Sequence, residues 1–136
     1  MLKFDHYTVA VHDLDQAIKE HETRFGMEKV GERSLNKIGN FNFQPMGFNG
    51  QQIMHLISPA SEEGPVAKLM KDRATPFNPH GEGLYLLAWH TDDVAGFTAN
   101  AEAGGARVNR VPNMPGNAWI HPTSANFVFH EIIQPS

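Results

Sequence analysis

"GEGLYLLAWHTDDV", residues 81–94, decides the fold because it repeats the pattern of "KFDHYTVAVHDL", residues 3–14. Each stretch opens on a run of apolar, aromatic or β-branched residues, the signature of a strand. Each then closes on an Asp followed by an apolar residue, which is a helix start signal. Aligning Asp13-Leu14 on Asp93-Val94 gives an offset of 80 residues. Repetition at a fixed offset says more about a fold than any single element does.

Working outward, "DLDQAIKEHETRF" predicts a helix with Leu14, Ala17, Ile18 and Phe25 near one face. Asp13 with Gln16 three residues later reads as a capping box, and Gly26 as the stop. Strand-like pieces follow over residues 27–34, 40–48 and 51–58, the last two joined by Asn49-Gly50, a hairpin signal. "EEGPVAKLMKDR" predicts a short helix, with acids at its start, Pro65 near its first position and bases at its end. After the second copy, "DDVAGFTANAEAGG" predicts a helix, and "ARVNRV", "NAWIHP" and "NFVFHEII" predict strands. The order β-α-β-β-β thus occurs twice. The expectation is an α+β single domain: module one over 1–58, a linker over 59–82 and module two over 83–136.

The 136 residues suit one domain. A net charge of −4 gives no reason to expect nucleic acid or an anionic membrane as partner. With no Cys, disulfides and thiol catalysis are excluded. No run of about 18 apolar residues exists, and the N-terminus is too interrupted for a signal peptide, so a cytoplasmic protein is expected. Eight His in so short a chain are the first hint of site chemistry.

Three stretches carry a family resemblance: "DHYTVAVHDLDQAI" (5–18), "GPVAKLMKDR" with "GEGLYLLA" (64–73 and 81–88), and "HPTSANFVFHEIIQ" (121–134). Together they resemble the vicinal oxygen chelate superfamily of glyoxalases, bleomycin-resistance proteins and dioxygenases, closest to its methylmalonyl-CoA epimerase-like branch. The resemblance implies two βαβββ modules forming a curved, cup-shaped mixed sheet, and a homodimer. It also implies four metal-ligand positions, two per module: His6, His55, Leu86 and Glu131.

Leu86 has no lone pair and cannot coordinate. His90 projects from the same strand face but lies about 13 Å along it, too far to substitute. His6, His55 and Glu131 remain, a two-His-one-carboxylate set that suits a divalent metal such as Zn, Co, Mn, Ni or Fe. The opposed reading is a metal-free pocket in which the two His are hydrogen-bonded residues. Epimerase chemistry needs bases about the α-carbon. Glu131 and His90 are the candidate catalytic residues, while the family's other carboxylate has no counterpart, because no acid lies between Glu32 and Glu62.

For the remaining His the plain readings are solvation for His21, surface for His80, surface or cavity mouth for His12, and a structural or rim role for His121. Two functions stand side by side. One is an isomerase, epimerase or lyase acting on a small carbonyl or acyl-thioester substrate through an enolate-like intermediate. The other is a non-catalytic small-molecule binder of the bleomycin-resistance type. An Fe²⁺ oxygenase is weaker, since the chain is half the usual extradiol length.

Overall fold

A computed structural model describes residues 1–135. In chain order the elements are β1 (Lys3–Ala10), α1 (Leu14–Phe25), β2 (Glu28–Lys29), β3 (Ser34–Asn36), β4 (Phe41–Phe48), β5 (Gln51–Pro59) and α2 (Pro65–Arg73). Then come β6 (Gly83–His90), α3 (Val94–Ala103), β7 (Val108–Arg110), β8 (Asn117–Ile120), a 3₁₀ turn (Pro122–Ser124) and β9 (His130–Ile133). The mixed α+β class and the repeated strand-helix-strands order are as expected. The chain forms two compact units, one of Tyr7–Tyr85 and one of Met1–His6 with the chain from Leu86 onward.

In the Tyr7–Tyr85 unit the strands run β2-β4-β5-β1, with β3 also paired to β4. Asp13 caps α1 by accepting the Gln16 N–H at 3.0 Å, and Gly26 ends it in the left-handed region at φ 67°. Such a cap contributes roughly 1 kcal/mol. Leu14, Ala17 and Ile18 then bury against Val11, Met46, Met54 and Leu56. Phe25 departs from the expected apolar face: it is 60 % exposed and lies against His21. As the last helical residue, it sits where the chain already turns into Gly26.

The hairpin between β4 and β5 turns at Asn49 and Gly50, both at positive φ (51° and 75°), as a type I′ turn demands. A bulge at Met46/Gly47 brings Gly47 against the facing strand. A Cβ there would fall 1.8 Å from the Gln51 carbonyl oxygen, so only glycine fits. The α2 helix starts at Pro65, the expected first position, with Glu62 and Glu63 preceding it. Asn40 Nδ2 holds the Glu63 carbonyl at 2.8 Å and the Ser61 hydroxyl at 2.7 Å, which fixes this stretch as a turn. Val66 and Met70 of α2 cover Ala10 and Ile57.

In the other unit β6 and β9 are parallel neighbours, and β8 and β7 follow antiparallel. Asp93 caps α3 through the Gly96 N–H at 2.8 Å, the counterpart of Asp13. Val94, Ala118, Ile120 and Ile132 form the core here, with Leu2, Trp89 and Phe97 packed on it. The strand expected over 126–133 shrinks to 130–133. Asn126 and Phe127 adopt φ of 55° and 66°, and the Phe127 N–H turns back to the Pro122 carbonyl at 2.7 Å.

Candidate functional site

The unit containing Leu86 holds most of the candidate chemistry. His6 sits on β1 with a buried side chain, and its Nδ1 is 2.6 Å from an Asp5 carboxylate oxygen. The other Asp5 oxygen lies 3.6 Å from Nδ1 of His90, at the end of β6. Burial pulls the His6 pKa below its ordinary value; Asp5 opposes this through its hydrogen bond and charge, and His90 adds slightly to the lowering. Neutral His6 is therefore the form favoured near pH 7.

Glu131 is on β9, with Ala88 and Trp119 as its partners in the strand register. It makes no hydrogen bond or ion pair with the described residues, and burial alone pushes its carboxyl pKa up to about 7. A carboxyl that exchanges its proton near neutrality has a pKa suited to proton transfer. The preceding His130 is committed elsewhere: its Nδ1 accepts the Trp89 indole N–H at 2.9 Å. Phe4 meets the same indole edge-on at 5.3 Å. Leu86 is buried on β6 with nothing to donate to a metal.

In the Tyr7–Tyr85 unit His55 stands beside Thr8 in the β1–β5 register. Its Nε2 lies 2.7 Å from Gln52 Oε1, and its ring stacks on Phe43 at 5.4 Å. β3, β4 and β5 carry no carboxylate. Asn36 of β3 accepts the Gly39 N–H on its side-chain oxygen at 2.8 Å.

His12, read from sequence as surface or cavity mouth, and His80, read as surface, have their rings stacked at 3.7 Å and 4°. The His12 N–H also donates to Glu82 at 2.7 Å. These residues line a cleft of about 470 Å³ against Gln16, Glu20 and His21 of α1. No sequence signal joins positions so far apart in the chain. His21 donates back to the Ala17 carbonyl, and His121 caps the 3₁₀ turn through Thr123.

Among the described residues no group of three or more His, Asp or Glu is arranged to hold a metal ion. Leu86, at one of the four family ligand positions, has no donor atom. The residues present do not complete the family's four-ligand set, and the chemistry below is derived from side chains alone.

The fold and the two repeated halves place the molecule in one class: the chain belongs to the glyoxalase/bleomycin resistance protein/dioxygenase superfamily, whose sequence model matches residues 5–121. Among solved structures it is similar to methylmalonyl-CoA epimerase from Mycobacterium tuberculosis, at 24% identity and a TM-score of 0.80, covering 98% of this chain and 87% of that one. A hypothetical protein from Bacillus halodurans C-125 is similar at 21% identity and TM-score 0.82, over 99% and 95% of the two chains. A methylmalonyl-CoA epimerase variant from Streptomyces coelicolor, in complex with 2-nitronate-propionyl-CoA, is similar at 24% identity and TM-score 0.78, over 98% and 97%. At these identities the likeness is one of fold. No curated relative matches the sequence. No helix among the described residues is long and apolar enough to cross a membrane.

Proposed function

We propose that the protein is an isomerase, epimerase or lyase that removes the proton α to the carbonyl of a small carbonyl compound or acyl thioester, acting in the cytoplasm as a homodimer. The observation that carries this reading is Glu131, a half-buried carboxyl poised by burial at about pH 7. Its carboxylate takes the α-proton, and the electron pair of the broken C–H bond moves into the carbonyl as an enolate. Desolvation that raises a carboxyl pKa also makes its anion a stronger base. His90, beside Asp5 and partly open to solvent, is the second candidate proton-transfer group. The acyl-thioester class is supported by the 2-nitronate-propionyl-CoA in complex with the Streptomyces coelicolor protein.

A second reading is favoured by two observations, the inert Leu86 and the absence of any carboxylate on β3, β4 and β5. Both suit a binder that holds its ligand without turning it over.

Incubation with propionyl- and methylmalonyl-CoA in deuterated water separates the two. Under the enzyme reading deuterium enters the α-carbon, and kcat/KM rises with pH and levels off above about 7, as Glu131 ionises. Saturable binding without exchange would sink the enzyme reading in favour of the binder.

A further inference from the structure

Two features of the Tyr7–Tyr85 unit play no part in the proposed chemistry: the stacked rings of His12 and His80, and Phe25, left 60 % exposed at the end of α1. Both line the cleft of about 470 Å³ beside α1, a volume within the range of small-molecule pockets. Val11 and Ala17, both buried, give the cleft an apolar base. Four rings also line it, in two pairs: His12 on His80 at 3.7 Å, and Phe25 against His21 at 5.3 Å. The fixed charge is one-sided. Asp13, Glu20 and Glu82 face the cleft's only Lys or Arg, Arg24, and that guanidinium is paired with Glu20 at 2.6 Å. Glu82 accepts the His12 backbone N–H at 2.7 Å. A carboxylate offers about four acceptor sites, so the N–H groups of a ligand can join that amide.

We propose that this cleft is a second small-molecule site, built from none of the residues assigned to proton transfer, and that it takes an organic cation: an amine or guanidinium carried on an aromatic body. The charged group meets Glu82, and the body lies on the apolar base against the rings. A cation beside an aromatic face is also attracted by the ring's quadrupole, which gives a use to a Phe left exposed on this helix. An anion is disfavoured, because the carboxylates outnumber the one guanidinium. A neutral body of the same shape gains the burial without the charge.

The probes are phenethylamine, 2-phenylethanol and phenylacetate, which share a phenyl ring and differ in charge. Each is titrated into the full chain at pH 8 and followed by ¹⁵N–¹H NMR. Phenethylamine should give saturable shifts at the amides of His12, His80 and Glu82, with the alcohol weaker and phenylacetate weakest. Glu82→Gln keeps an acceptor for the His12 N–H. It should weaken phenethylamine about two- to fivefold, the effect of losing an exposed ion pair, and leave the alcohol unchanged. His80→Ala should weaken amine and alcohol alike, by about two- to tenfold, the worth of an aromatic pair. Phenethylamine that does not saturate these shifts overturns the proposal. So does phenylacetate bound as tightly as the amine, an unchanged amine affinity in Glu82→Gln, or shifts centred on Glu131 with none at His12. None of these readouts depends on thioester turnover, so the proposed function can fail without touching them.

Discussion

Glu131→Gln is expected to lower α-proton exchange by a factor of about 10²–10⁴, the range for a positioned acid–base group. Gln fills nearly the same volume and keeps an acceptor oxygen, so packing changes little while the base is lost. Folding can be separated from chemistry by the sign of the stability change. The Glu131 carboxyl holds its proton up to about pH 7 in the folded chain, against an ordinary value of 4.5. Between those values the folded state binds more protons, so stability falls as pH rises from 4.5 to 7 and stays lower above. At pH 8 the buried anion costs the fold up to about 3 kcal/mol. The Gln variant carries no such anion. It should therefore be more stable than the parent in urea at pH 8, with the difference closing below pH 4.5. Loss of activity together with loss of stability at pH 8 would contradict the assignment.

Met54→Ala is expected to cost about 2–5 kcal/mol, the usual effect of emptying a methionine-sized core site. Met54 is fully buried, faces Met46 and Tyr7 in its strand register, and closes the cluster against which Leu14 and Ile18 of α1 pack. A domain of this size has only about 5–15 kcal/mol in total. The variant should show a clearly lowered urea midpoint at unchanged m-value. A midpoint within experimental scatter of the parent would mean that α1 is held by its caps and not by this core.

The features readable from sequence were those with a local cause. Asp13 and Asp93 cap their helices because a short carboxylate reaches N–H groups three residues on. Asn49-Gly50 turns the hairpin because both positions need positive φ. Features set by tertiary structure were not readable. The "NFVFHEII" stretch has strand composition, yet Asn126 and Phe127 bend it away because the Phe127 amide finds the Pro122 carbonyl. Glu62 and Glu63 look like helix-start acids, but Asn40, distant in the chain, holds that segment as a turn.

The candidate site divides in the same way. Glu131 could be named from the pattern around it, but its raised pKa comes from burial that no motif encodes. Asp5 drew no notice as the neighbour of a His. Its place between His6 and His90 exists only once β1 and the end of β6 are folded.

The protein's two tryptophans are set about the residue that matters most. Trp119 is the register partner of Glu131, and Trp89 is hydrogen-bonded to His130, one position before it. Intrinsic emission is therefore a built-in optical gauge of this strand. A ligand arriving at Glu131 reaches the strand position opposite Trp119, and a change in His130 reaches Trp89 through its N–H. Titrations with unlabelled compounds can be followed in the native chain, without a dye or a reporter substitution.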